Sequence, residues 1–102
     1  MAEFVKVAKT SELPEQKAKG VDVQGRVLAL FNLGGEYYCI DDACPHEEGP
    51  LCEGFIEGEE VECPWHAARF NIKTGALTEG PGYEDVKTYR VRVVGDDIEV
   101  EV

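Results

Sequence analysis

Positive charge is what this chain has least of. It sets 10 Lys and Arg against 21 Asp and Glu, a net charge of −11. Phosphate recognition needs Lys and Arg, so a nucleic-acid partner is excluded and an anionic membrane is disfavoured on the same ground. No apolar run approaches the roughly 18 residues of a membrane span. The N-terminus, Met1-Ala2-Glu3-Phe4-Val5-Lys6, lacks the basic and then apolar pattern of a secretory signal. A soluble cytoplasmic protein is the expectation. Helical periodicity is missing too: the nearest candidate, Ser11 to Lys19, contains Pro14 and ends at Gly20. There is no internal repeat, linker or low-complexity tract. Histidine is scarce, with only 2 in the chain.

What is present fits one small domain. A chain of 102 residues with 43% apolar content can build a core, so disorder is not expected. The acidic balance serves solubility, or steers the protein toward a basic partner. Short strands at regular turn spacing account for most of the length. Phe4 to Ala8, Lys17 to Gln24, Val27 to Asn32 and Glu36 to Ile40 read as strands, with Gly34-Gly35 as a hairpin. Val27-Leu28-Ala29-Leu30-Phe31-Asn32 is nearly continuous apolar sequence and predicts a strand buried on both faces. Ser11-Glu12-Leu13-Pro14-Glu15 predicts a turn in which Ser11 accepts from the following backbone. Thr88 to Val94 and Ile98 to Val102 predict two closing strands around Gly95-Asp96-Asp97. This pattern means an all-β sandwich or barrel.

The segment from Asp41 to Gly80 differs from the rest. It has little regular alternation beyond a hairpin over Gly54 to Cys63 and a strand at Arg69 to Ile72, turned at Thr74-Gly75. It reads as a loop-rich insertion between strands of the barrel. It also contains both histidines, each within three residues of a cysteine: Cys44-Pro45-His46 and Cys63-Pro64-Trp65-His66.

Four cysteines could make two disulfides in a secreted chain, but in a reducing cytoplasm metal ligation is the better reading. Thiolate and imidazole together suit zinc, copper or iron–sulfur. Structural zinc sites usually pair like with like, whereas each loop here is mixed, with Cys before His. A single zinc tolerates mixed loops, so zinc stays open. For a two-iron cluster the mixed order has a use: each loop gives its Cys to one iron and its His to the other.

The spacing C-P-H-x16-C-P-W-H resembles the Rieske pattern C-x-H-x15-17-C-x-x-H. The resemblance covers essentially the whole chain, 1–102, with a cluster-binding insertion at about 41–80. It includes Leu51-Cys52-Glu53-Gly54, Gly58, Glu62-Cys63-Pro64, Arg69-Phe70-Asn71, Thr74-Gly75 and the final strand pair. It implies a Rieske-like antiparallel β-sandwich or barrel and one [2Fe-2S] cluster per chain. By resemblance, Cys44 and Cys63 hold the inner iron and His46 and His66 the outer iron. Gly80-Pro81-Gly82 falls where the family has a proline loop covering the cluster.

Replacing two thiolates by two neutral imidazoles removes two negative charges, so a Rieske centre is more easily reduced than an all-thiolate one. High-potential members of the family have extra bridging cysteines where this chain has Gly49 and Trp65. They also place hydroxyl donors where it has Ala68 and Phe70. Their absence predicts a potential near the low end of roughly −150 to +300 mV. The chain thus resembles the soluble ferredoxins of multicomponent aromatic-ring oxygenases. These carry single electrons from a flavoprotein reductase to a terminal oxygenase and are not themselves enzymes. Glu47, Glu48 and Glu53 flank the cluster face and suit basic partners. A small Rieske-like subunit of an assimilatory nitrite reductase is the alternative; a zinc-stabilised binding module is a third reading. Cys39 and Cys52 read as free, small apolar residues. Trp65 reads as a shield for the cluster or a packing residue.

Overall fold

The computed structural model describes residues 3–43, 50–65, 68–80 and 84–102. Within them the all-β expectation holds, with every strand pair antiparallel. In chain order the strands begin with β1 (Phe4–Lys9), β2 (Lys17–Val23), β3 (Arg26–Leu33) and β4 (Glu36–Asp41). Four short strands follow: β5 (Phe55–Glu57), β6 (Glu60–Glu62), β7 (Arg69–Asn71) and β8 (Leu77–Glu79). The chain closes with β9 (Thr88–Tyr89), β10 (Val91–Val94) and β11 (Asp97–Glu101). They form three sheets, ordered β1-β11-β10, β2-β3-β4-β9 and β5-β6-β7-β8.

The apolar run in β3 has a specific cause. Leu28 and Leu30 face one core with Ala8, Val21, Val23, Cys39, Ile98 and Val100. Ala29 and Phe31 face a second core with Ile40, Leu51, Val61, Cys63, Phe70 and Ile72. A strand with a core on each side cannot afford an alternating polar face. The exception is Val27, which lies at the strand's start and is exposed. Neighbouring β4 divides in the same way, Cys39 to the first core and Ile40 to the second. Asn32 is polar and buried, and it is satisfied: its Nδ2 donates to the Leu13 carbonyl at 2.8 Å and its Oδ1 accepts from Gly35 N–H at 2.8 Å. That second bond secures the Gly34-Gly35 hairpin, where both residues have positive φ.

Two local expectations are replaced. At the first turn, a single 3-10 turn over Thr10–Glu12, the capping acceptor is Glu12 and not Ser11: Glu12 Oε1 accepts from Lys9 N–H at 2.9 Å. The predicted strand Thr88 to Val94 is broken at Arg90. Thr88 and Tyr89 pair with Ile40 and Cys39, whereas Val91 to Val94 pair with β11. The chain changes sheets at this point, linking the two sheets around the first core.

Cys39 and Cys52 have no disulfide and belong to different cores. Burial, with a smaller push from Asp41, raises the Cys39 thiol from 9.0 to about 12. The unfolded chain therefore releases a proton that the folded chain keeps between those pH values. The Cys39 contribution to stability is full below pH 9.0 and is lost as pH rises toward about 12. Cys39→Val is expected to flatten that alkaline decline, read as urea midpoints from pH 7 to 10.5.

Gly75 fastens the β7–β8 turn to the chain returning toward β9. It adopts φ +78, donates to the Asn71 carbonyl at 2.7 Å and accepts from Val86 N–H at 2.8 Å. A Cβ there would lie 2.2 Å from the Val86 oxygen. Gly75→Ala combines left-handed strain with a backbone clash and is expected to cost roughly 2–4 kcal/mol in urea unfolding.

Candidate metal centre

Cys63 leaves the end of β6 and is 1% exposed, packed with Leu51, Val61, Ala68 and Phe70. Its N–H donates to the Ala68 carbonyl at 2.8 Å, which closes the loop holding Pro64 and Trp65. The β6–β7 register, Glu62 opposite Arg69, fixes where this loop leaves the sheet.

The residues flanking the other cysteine motif are tied together. Ala43 bridges Pro50, Leu51 N–H donates to the Asp42 carbonyl at 2.7 Å, and Cys52 N–H donates to Asp42 Oδ1 at 2.9 Å. Together these close the base of segment 44–49. The chain then makes a 3-10 turn over Leu51–Glu53 whose Leu51 is fully buried in the same core as Cys63. At Gly54 an added Cβ would lie 2.3 Å from the Glu62 oxygen, so this turn rests directly on the strand end that precedes Cys63. Gly80 follows β8, whose Glu79 pairs with Arg69 at that same end of the sheet. Desolvation first, and then the Asp42 carboxylate, push the Cys52 thiol up to about 12, so it is a neutral thiol at pH 7.

Of the residues expected as ligands, Cys63 is described. Cys44, His46 and His66 lie outside the described residues, as do Glu47, Glu48, Gly49, Pro81 and Gly82. The donor chemistry suits a soft metal such as the iron of an iron–sulfur cluster: Cys63 supplies a thiolate, and Ala68 and Phe70, 0% and 1% exposed in the same core, add no competing polar group.

One reading is corrected and one feature escaped sequence reasoning. Trp65 is 62% exposed, so it is not a core packing residue. Arg69 is the hub of the small sheet. Its guanidinium lies 3.0 Å from Glu57, 3.2 Å from Glu62, 3.5 Å from Glu60 and 4.0 Å from Glu79. Its pKa is raised, first by the Glu57 hydrogen bond and then by Glu62. The available signal was the lone Arg of a segment rich in Glu, but only strand register brings those carboxylates to one cation. Arg69→Leu leaves four carboxylates facing one another. It is expected to lower the melting temperature and speed iron loss at low salt, with both effects shrinking in 0.5 M NaCl.

These observations define an all-antiparallel β protein in which a buried cysteine, Cys63, leaves one end of a small four-stranded sheet. Residues 3–90 match the Rieske [2Fe-2S] domain model, and the chain belongs to that family, whose cofactor is a [2Fe-2S] cluster. It is 38% identical to the ferredoxin component of the naphthalene 1,2-dioxygenase system of Pseudomonas aeruginosa, over 89% of this chain and 88% of that one. Among solved structures it resembles the ferredoxin of carbazole 1,9a-dioxygenase from Nocardioides aromaticivorans IC177. The TM-score is 0.90 at 35% identity, covering 95% of each chain. It also resembles a chain in a complex of reduced oxygenase and oxidised ferredoxin of carbazole 1,9a-dioxygenase. There the TM-score is 0.89 at 28% identity, covering 95% of this chain and 91% of that one.

Proposed function

We propose that this protein is the ferredoxin of a multicomponent Rieske-type oxygenase system, taking one electron at a time from a flavoprotein reductase and delivering it to a terminal oxygenase. The observation that carries this reading is similarity to ferredoxin components over nearly the full length of both chains. One domain, 1–102, holds the cluster in its insertion at about 41–80. It acts as a cytoplasmic carrier and not as an enzyme in its own right.

In this reading Cys44 and Cys63 hold the inner iron, and His46 and His66 the outer iron. The bound cluster supplies a single reversible electron. The chain's part is to hold the ligands and set their surroundings. Asp42 fixes the base of one loop through Leu51 and Cys52, and the Cys63–Ala68 bond fixes the other. Leu51, Val61, Ala68 and Phe70 exclude water from the Cys63 side. With no side-chain hydroxyl at Ala68 or Phe70, the reduced state gains little hydrogen-bond stabilisation there, and a low potential follows.

The test is reconstitution with the reductase and terminal oxygenase of the same organism. NADH-dependent substrate oxidation that requires this protein is the expected result. A purified protein that is colourless and EPR-silent after dithionite reduction overturns the cluster. Stable assembly with a sirohaem enzyme, and no reduction by the reductase, would transfer the chain to the nitrite reductase reading.

A further inference from the structure

Strand β9 is two residues long, Thr88–Tyr89, and covers β4 at Ile40 and Cys39 alone. The chain then leaves for the other sheet at Arg90, whose carbonyl accepts from Glu101 N–H at 2.8 Å. A cleft of about 580 Å³ opens where the two sheets part. Its size lies in the ~300–1,000 Å³ range of small-molecule sites. Leu28, Cys39 and Ile72 are buried in its lining, with Tyr38 and Tyr89 half-buried beside them.

The cleft is charged against the trend of the chain. Its described lining holds Arg26, Lys73, Lys87 and Arg90, four of the chain's 10 cations, and Glu101, one of its 21 acidic residues. Lys73 is engaged by Glu59 at 3.2 Å and lies over the Tyr38 ring, 5.6 Å from its centre. Lys87 lies over the Tyr89 ring, 5.2 Å from its centre. Arg26 donates to the Tyr89 hydroxyl at 3.0 Å, and that hydroxyl donates to Asp41. Even with Asp41 and Glu59 counted, four cations face three carboxylates in a chain of net charge −11. Cations that serve the fold sit on carboxylates, as Arg69 and Arg92 do. Among the described residues, Arg26, Lys87 and Arg90 form no ion pair.

We propose that this cleft binds a small organic anion, a carboxylate or phosphate held by Arg26, Lys87 and Arg90 on a planar apolar body that lies against Leu28 and the tyrosines. The guanidinium fork matches either oxyanion, and Arg26 and Arg90 supply two of them. Tyrosine rings beside a buried aliphatic lining suit a flat ring better than an open polar chain. Range decides how an anion enters so acidic a protein. The lining cations act over a few ångströms, whereas the other carboxylates are spread over the surface and screened beyond ~8 Å at physiological salt. A nucleic acid or an anionic membrane meets that whole surface and is repelled; a small anion meets the cleft. Arg26, Lys87 and Arg90 lie outside both Cys–His motifs, so the site does not depend on the electron-carrier reading.

The test uses the cluster-loaded protein, with 2-naphthoate as the carboxylate probe and AMP as the phosphate probe. Calorimetry in 50 mM NaCl should give one site, with a dissociation constant between about 10 μM and 1 mM for at least one probe. The tighter probe identifies the acidic group, and 0.5 M NaCl should weaken its binding about threefold or more. In 15N spectra of the wild-type protein the shifted amides should include Arg26, Tyr89, Arg90 and Glu101. Lys87→Glu/Arg90→Glu is expected to weaken binding about tenfold or more, and Lys87→Arg/Arg90→Lys to keep most of it. Lys9→Glu/Lys17→Glu changes net charge by the same amount outside the cleft lining and should bind as wild type. Wild-type protein that binds neither probe up to 5 mM overturns the proposal. Equal weakening in both charge-reversal variants overturns it as well, because the anion would then sense net charge alone. Amide shifts confined to residues outside the cleft do the same, and that map needs no variant to fold.

Discussion

Cys63→Ala is expected to abolish cluster retention, with iron per chain and absorbance above 400 nm falling tenfold or more after anaerobic purification. Changes in the outer surroundings of metal ligands already cost about 10–100-fold in affinity, and loss of a ligand should exceed that. Among the described residues, Cys63 shares its core with the apolar side chains of Leu51, Val61, Ala68 and Phe70. Cys52, at the margin of the same core, is held as a neutral thiol by burial and Asp42. Cys39→Ala is the control, because Cys39 lies in the other core, and it should keep full iron. The Cys63 variant should also melt at a lower temperature, since the cluster binds only the folded chain and its binding energy adds to stability. Iron retained at the wild-type level would remove Cys63 from the ligand set.

His66→Cys, where the cluster still assembles, is expected to lower the potential by on the order of 250 mV or more, from the Rieske range toward the roughly −400 mV of plant-type centres. A thiolate in place of a neutral imidazole adds one negative charge at the metal, which opposes the incoming electron. The same substitution should remove part of the pH dependence of reduction, because one ionisable imidazole is gone. A potential unchanged from wild type, measured by dithionite titration with EPR detection, would show that His66 is not a ligand.

Much of this was legible because it is local. A thiolate and an imidazole within three residues need no tertiary information to suggest a metal loop. Gly34-Gly35 and the alternation in β1, β2 and β4 mark strands by near-neighbour chemistry. Short strands were harder to see. β8 escaped because three residues give no period to detect, and its partner Phe70 is set by register with a bulge. Ser11 was a reasonable cap by type, but Glu12 is placed to reach the Lys9 N–H.

The chain's order of residues alone settled the family pattern, the acidic surface and the all-β character, because motif spacing, charge and turn chemistry are written in adjacent residues. Tertiary structure alone decided that β3 separates two cores and that β9 and β10 join different sheets. It also decided that Arg69 gathers four carboxylates and that Trp65 stands exposed. Each of these depends on which strands lie side by side, and pairings between distant residues are fixed only when the whole chain has closed on its cores.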